Sequence, residues 1–295
     1  MVEDVVPVRK DLIEQNVHYL LEKFFAPDEK GEVQYLTNLF RVLEEAHGLK
    51  VSDFAREIIE GKLEGFMQNR AGRLGFVSFK ELKEEEGWLL KLLSKTEFLE
   101  GFVTEEREMD IVWDSKARSS NRPLGLLISH EMTHVWQSDN ILLMSYNLYE
   151  SLTEYLGWLG NYGSIPSDGA LLEDEVKAST WIFPRMGYNK DLAYKLFSQG
   201  PECANAIMDA LAGDFFSLET VGYHLERMGE EKEAINIYDN MVAHIEEKTR
   251  EWKGRSEKEN ILEQYRMVKT RLGERMQVLT GHKFKARAGR ALVMK

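Results

Sequence analysis

Residues 121–137 have the sequence NRPLGLLISHEMTHVWQ, in which a marked helix start precedes two histidines at helical spacing. Asn121 is able to cap a helix, and Pro123 suits the first turn, where its missing amide hydrogen would be unpaired in any case. His130 and His134 are four residues apart, so both imidazoles project from one face of the helix. The segment therefore predicts an amphipathic helix with a polar stripe that can carry chemistry.

The other face of this helix is apolar, and we expect it to pack against a sheet. Its members are Ile128, Met132, Val135 and Trp136. Short runs rich in Val, Phe, Ile and Trp lie upstream of the helix and predict strands. They are Leu74–Phe79, Glu97–Val103 and Met109–Trp113.

Apolar residues at three- and four-residue spacing predict helices on both sides of this region. The upstream helices are predicted at Leu12–Phe25, Val33–Ala46 and Val51–Phe66. Helical periodicity returns at Leu124 and persists to about Gln277, and a helix pair broken near Gly229 looks like one tetratricopeptide-type unit. We expect an α+β, predominantly helical protein with an N-terminal helical region at 1–72, a catalytic core at 73–200 and a C-terminal helical region at 201–295.

The composition excludes several classes of protein. The chain has 295 residues, with 38 Lys and Arg against 50 Asp and Glu, for a formal net charge of -12. Because so acidic a chain lacks the positive surface that neutralises phosphates, we expect no nucleic-acid partner and no membrane partner. Cys203 is the single cysteine, which rules out an intrachain disulfide and a zinc site made of cysteines. We expect a soluble, cytoplasmic protein with Cys203 buried in the core.

The spacing of His130 and His134 lets two neutral imidazole nitrogens reach one Zn²⁺ at about 2.0–2.1 Å. Glu131 follows His130 directly, where a carboxylate can lie beside the metal and accept a proton from zinc-bound water. A catalytic zinc takes three protein ligands plus water. Since the next histidine downstream is His224, we expect the third ligand to be a carboxylate.

The following helix offers two carboxylates on its polar side, Glu150 and Glu154. If the first helix ends near Ser138 and the second begins near Ile141, Glu150 lies roughly 14 Å along its helix, level with His130. Glu150 is then the preferred third ligand.

Glu154 would lie one turn beyond the metal, where it could accept a hydrogen bond from a ligand histidine. A start of the second helix near Ser145 weakens this ranking. Glu154 therefore remains an alternative ligand, as do Glu173 and Glu175 further along the chain.

Residues 130–134 (HEMTH) and 150–156 (ESLTEYL) together resemble the gluzincins, the zinc metallopeptidases that include thermolysin and the aminopeptidase N group. These families carry HExxH on one helix and Glu-x-x-x-Asp/Glu on the next. The resemblance implies a zincin-like catalytic core with a small sheet, an active-site helix and a glutamate helix. It also implies that Met109–Trp113 is an exposed edge strand that pairs with an extended substrate.

Carried over by position, the resemblance assigns a role to each residue of the site. It implies zinc on His130, His134 and Glu150, Glu131 as general base and Glu154 as support for a histidine. Residues 186–197 (MGYNKDLAYKLF) are similar to the Tyr-x-Lys-Gly helix start of the aminopeptidase N group, which implies Tyr188 as the hydroxyl that stabilises the oxyanion.

These observations predict a zinc-dependent metallohydrolase, expected to be a peptidase acting on a peptide or protein substrate. The alternative is a helical protein-interaction module in which zinc is structural or the site is idle. In either case the C-terminal helices are a candidate surface for a protein partner.

Overall fold

A computed structural model of the protein describes residues 32–74, 79–81, 101–103, 111–113, 124–165 and 190–281. Most of this part of the chain is helical. The α-helices are α1 (Gln34–His47), α2 (Asp53–Leu74), α3 (Leu124–Trp136), α4 (Tyr146–Tyr162), α5 (Lys190–Phe197), α6 (Pro201–Ala212), α7 (Ser217–Arg227), α8 (Glu231–Glu251) and α9 (Glu259–Thr280). Two 3₁₀ turns, Asp139–Leu143 and Ser256–Lys258, complete the helical elements of the described residues.

Three strands of three residues each lie between α2 and α3 in the chain. They are β1 (Phe79–Glu81), β2 (Gly101–Val103) and β3 (Ile111–Trp113). β3 is the middle strand, parallel to β1 and antiparallel to β2. Because neighbours occupy both sides of β3, the prediction that Met109–Trp113 offers a free edge to a substrate is wrong.

The prediction of an α+β, zincin-like core built on a sheet is also wrong, because the described part of the chain forms a helical protein. The hydrophobic core, as far as its side chains are described, comes from helices and from the segments that join them. Short apolar runs do not distinguish a strand from a buried piece of helix. Leu74, predicted to open a strand, is the last residue of α2.

The apolar face of α3 is buried, as predicted, but against helices. Met132, Val135 and Trp136 are buried in contact with the helical core. The Tyr35 hydroxyl of α1 accepts a hydrogen bond from Nε1 of Trp136 at 3.2 Å and pairs with Oγ1 of Thr133 at 2.8 Å. A helix can therefore satisfy the polar groups on this face as well as cover its apolar ones.

Helices α3 and α4 pack against each other and run antiparallel. His130 lies beside Glu154 and Gly157, whereas His134, further along α3, lies beside Glu150, earlier in α4. A Cβ atom at Gly157 would be 2.9 Å from the backbone nitrogen of His130 and 3.0 Å from its Cα. The absence of a side chain at Gly157 thus lets the two helix backbones touch.

The connection between α3 and α4 has the later of the two helix starts that the sequence leaves open. Helix α4 begins at Tyr146, with Ser145 as its N-cap, and not near Ile141, so the helix-length argument that ranked Glu150 first does not apply. The intervening residues form the 3₁₀ turn Asp139–Leu143, which the side chain of Ser138 caps by accepting a hydrogen bond from the amide of Asn140. The side chains of Ser138 and Ser145 therefore mark where the 3₁₀ turn and α4 begin, which the spacing of apolar residues does not show.

The C-terminal helices agree with the sequence analysis where they are described. The break predicted near Gly229 is confirmed: it separates α7 from α8, with Gly229 at a φ of 80°. Cys203 is buried in α6, as predicted. The predicted helix Leu12–Phe25 lies outside the described residues. None of the described helices combines the length and the apolar character needed to cross a bilayer.

Candidate metal centre

Three donor side chains converge between α3 and α4. Nε2 of His130 lies 3.2 Å from Nε2 of His134 and 3.3 Å from a carboxylate oxygen of Glu150. Nε2 of His134 lies 3.8 Å from the other carboxylate oxygen of Glu150. These residues form a group that could hold a metal ion, with one donor atom from each lying within 4.8 Å of the others.

The group is largely buried but is not sealed off from solvent. The exposed fractions of the side chains are 10% for His130, 18% for His134 and 13% for Glu150. Each donor is therefore held by packing yet keeps some contact with solvent, which an ion or a small molecule needs in order to reach it.

Glu154 lies behind His130. Its carboxylate is 2.7 Å from Nδ1 of His130, the ring nitrogen that faces away from the group of donors. A carboxylate at this position accepts the Nδ1 hydrogen and leaves Nε2 to face Glu150 and His134. The structure thus brings Glu150 to both histidines and Glu154 to one of them, which is the arrangement that the sequence analysis preferred.

His134 has its own partner, which the sequence analysis missed. Oε1 of Gln137 lies 2.7 Å from Nδ1 of His134, and Nε2 of Gln137 donates to Oγ1 of Thr153 at 2.9 Å. The available signal was spacing: Gln137 follows His134 by three residues, directly after the end of α3, and Thr153 follows Glu150 by three residues on α4. Each position therefore lies near the same face as the donor it follows.

Tyr149 is a second residue that the sequence analysis did not assign to the site. Its ring packs edge-on against His134, with ring centroids 6.4 Å apart, and its side chain forms a hydrogen bond with Glu150. Tyr146 packs edge-on against Tyr149 at 5.2 Å and is itself half exposed. The rings of Tyr149 and Tyr146 therefore pack in a row beside His134.

The two histidines have opposite electrostatic environments. Burial by itself lowers the pKa of His130, but the hydrogen bonds and negative charges of Glu150 and Glu154 outweigh it and raise the pKa to about 10. Burial and the charge on His130 lower the pKa of His134 to about 4. Burial raises the pKa of Glu150, but the hydrogen bond to His130 and the charges of both histidines bring it below its ordinary value. At neutral pH the metal-free group therefore contains one imidazolium, one neutral imidazole and one carboxylate.

Four of the predicted site positions cannot be placed in this geometry. Glu131 belongs to α3, but its side chain is outside what the structure describes. Tyr188, Glu173 and Glu175 lie outside the described residues altogether. The roles assigned to these positions stay predictions.

Comparisons with protein-family models, with curated proteins and with solved structures find no match to this chain. A function has to be argued from the chemistry of the site itself.

Proposed function

We propose that the protein is a zinc-dependent hydrolase that cleaves peptide bonds, with zinc held by His130, His134 and Glu150. The observation that carries the proposal is the spacing of the donors. Ligand atoms at the corners of a tetrahedron around zinc, with bonds of 2.0–2.1 Å, are about 3.3 Å apart. Nε2 of His130 lies at this spacing from Nε2 of His134, at 3.2 Å, and from one carboxylate oxygen of Glu150, at 3.3 Å. Nε2 of His134 lies 3.8 Å from the other oxygen of Glu150, so the carboxylate would have to turn for one oxygen to serve both histidines.

The identity of the donors supports a catalytic zinc over a purely structural one. Two imidazoles and one carboxylate are a donor set of zinc hydrolases, in which a fourth position holds water or substrate. Zinc in such a site lowers the pKa of its water to about 7 and polarises a carbonyl group. The partial exposure of the donors suits a site that a substrate must enter.

The protein's own residues then divide the remaining tasks. Glu131 is the general base of the HExxH motif, and it takes up the water proton and passes it to the leaving amine. Glu154 holds the Nδ1 hydrogen of His130 and so keeps Nε2 free for the metal. Tyr188 is proposed to donate a hydrogen bond to the oxyanion.

Peptides are the proposed substrates, since the HExxH motif followed by a glutamate helix is typical of peptidases. A non-peptide amide or ester requires the same machinery and is the nearest competitor. The single, buried cysteine suits the reducing environment of the cytoplasm, where we propose that the protein acts.

A helical interaction module with a structural zinc is the second candidate function. Its contact surface would include the outer face of α9, where Met267 is 50% exposed and Val278 is 83% exposed. Two separate apolar side chains are ordinary on a protein surface and do not by themselves indicate a partner. A structural site is distinguished by a fourth protein ligand and by the lack of an exchangeable water.

Metal analysis and peptide hydrolysis test the proposal together. We expect about one zinc per purified chain, loss of peptide cleavage with a chelator and its recovery with added Zn²⁺. Because Glu150 is a proposed ligand, Glu150→Gln is expected to cost more than the about 10–100-fold loss in zinc affinity that is typical of a supporting residue. The exposed Glu247→Gln serves as the matched control and is expected to bind like wild type. A protein that takes up no zinc would refute the site. Iron in its place would point to oxygen chemistry, since two histidines and one carboxylate also bind Fe²⁺.

Zinc affinity is expected to rise with pH, because a proton competes with the metal at His130. The pKa of this imidazole is raised to about 10 in the metal-free group, so at pH 7 its Nε2 carries a hydrogen that zinc must displace. His134, whose pKa is lowered to about 4, is already neutral at this pH, and Glu150 is already ionised. Neither residue therefore releases a proton when zinc binds. Calorimetry in buffers of different ionisation enthalpy should therefore find about one proton released per zinc at pH 6, below the pKa of about 7 at which zinc-bound water would add a proton of its own. Glu154→Gln removes one of the carboxylates that raise the His130 pKa, so the pH above which this proton release disappears should be lower in the variant than in wild type; an unchanged pH would contradict the assignment.

A further inference from the structure

A chain of hydrogen bonds leads from the backbone of α4 to His134. Oγ1 of Thr153 donates to the carbonyl oxygen of Tyr149 at 2.8 Å and accepts from Nε2 of Gln137 at 2.9 Å. Oε1 of Gln137 lies 2.7 Å from Nδ1 of His134. The chain therefore ends on the ring nitrogen of His134 that faces away from the other two donors.

The backbone carbonyl of Tyr149, where this chain begins, determines which group donates and which accepts at each later step. A backbone carbonyl can only accept, so the single hydroxyl hydrogen of Thr153 is committed to Tyr149. The Thr153 oxygen then offers a lone pair to Gln137, and a lone pair attracts the amide NH₂ group. The carbonyl end of the Gln137 amide is left to face His134, where it accepts a hydrogen from Nδ1. A competing contact from Thr153 Oγ1 to Gln137 Oε1 is longer, at 3.3 Å, and would need the same hydrogen.

Gln137 is also held in place through its backbone. Its carbonyl oxygen accepts a hydrogen bond from Nζ of Lys62 on α2 at 3.1 Å. The amide of the next residue, Ser138, donates to the carbonyl of Leu211 on α6 at 2.8 Å. The Gln137 side chain is buried, so little water competes for its amide group. Contacts from three other helices thus fix the residue that faces His134.

We propose that Gln137 and Thr153 are positioning residues that hold neutral His134 as the Nδ1–H tautomer and aim its Nε2 lone pair at the metal. The inference rests on the proposed function for its purpose, because the Nδ1–H tautomer leaves the Nε2 lone pair available to a metal. Glu154 orients His130 by accepting its Nδ1 hydrogen on a carboxylate, whereas the neutral amide of Gln137 accepts the Nδ1 hydrogen of His134. Both rings are therefore oriented, and only His130 has a negative charge at its Nδ1.

The matched variants are Gln137→Met, which keeps the length of the side chain but removes the strong acceptor, and Gln137→Glu, which restores an acceptor. Thr153→Val and Thr153→Ser provide the same contrast one step further along the chain. Gln199→Met, at an exposed glutamine outside the site, controls for the substitution itself.

The first measurement uses the metal-free, full-length protein, so that it does not depend on zinc. Nitrogen-15 NMR of the histidine rings should find the Nδ1–H tautomer of His134 in wild type, Gln137→Glu and Gln199→Met. Gln137→Met and Thr153→Val should instead shift the population towards the Nε2–H tautomer above about pH 10, where His130 no longer presents its own Nε2 hydrogen to His134. A wild-type ring with hydrogen on Nε2, or no change in Gln137→Met, would overturn the proposal.

The second measurement is Zn²⁺ affinity by competition with a chelator. Gln137→Met is expected to bind zinc 10–100-fold more weakly than wild type, and Gln137→Glu to return to within a few-fold of it. Equal losses in both variants would mean that packing matters and hydrogen bonding does not. Should Gln137→Met fail to fold, Thr153→Val against Thr153→Ser decides the same question.

The two measurements also separate this inference from the proposed function. A wild-type protein that takes up no zinc refutes the metal site, while the tautomer of His134 still decides whether Gln137 orients the ring. Zinc bound with equal strength by wild type and Gln137→Met leaves the metal site standing and refutes the role of Gln137.

Discussion

Glu131→Gln is expected to retain zinc and to lose about 10²–10⁴-fold in kcat for peptide hydrolysis. The donors that converge within 4.8 Å are supplied by His130, His134 and Glu150, so the substitution removes none of them. Glutamine has nearly the shape of glutamate but cannot accept a proton at neutral pH. The expected loss is therefore confined to the step in which water gives up its proton.

The informative comparison is between two glutamate variants of the same site. Glu131→Gln should contain as much zinc as wild type and turn over little substrate, whereas Glu150→Gln should lose the metal and, for that reason, the activity. Zinc content by mass spectrometry and initial rates on a pool of fluorogenic peptides distinguish these outcomes. A Glu131→Gln enzyme that cleaves as fast as wild type would rule out Glu131 as the base.

The parts of the site that follow from helix geometry within one segment could be predicted from sequence. His130 and His134 share a face because they are four residues apart, and Glu150 and Glu154 share one for the same reason. The structure brings these two pairs together even though α4 begins at Tyr146 and not near Ile141. The pairing does not depend on which of the two considered starts is correct, because the start of a helix does not change which of its residues share a face.

The parts that depend on how segments pack could not be predicted in the same way. The apolar stripe of α3 indicates that this face is buried, but the same stripe suits a sheet or a helix, and helices cover it here. Gln137 meets Thr153 only because α3 and α4 pack side by side. Its side chain is polar in sequence and buried in the structure, and nothing in its local spacing says which partner it finds.

Gly157→Ala is expected to destabilise the protein and to weaken zinc binding, although alanine favours a helix more than glycine does. The added Cβ would lie 2.9 Å from the backbone nitrogen of His130, closer than non-bonded atoms approach, and a backbone cannot rotate away as a side chain can. Helices α3 and α4 would have to separate by a few tenths of an ångström. Such overpacking costs about 1–3 kcal/mol, against a gain in helix propensity of about 1 kcal/mol.

The matched control for this substitution is Gly61→Ala on α2, where the added Cβ meets nothing within 4 Å. With no clash to offset the gain in propensity, Gly61→Ala should raise the free energy of unfolding by up to about 1 kcal/mol. Urea unfolding of the metal-free proteins should therefore give shifts of opposite sign for the two variants. Since His130 lies on one of the separated helices and Glu150 and Glu154 on the other, Gly157→Ala should also bind Zn²⁺ about tenfold or more weakly than Gly61→Ala. Equal stabilisation of both variants, with unchanged zinc affinity, would mean that the donors do not depend on backbone contact between α3 and α4.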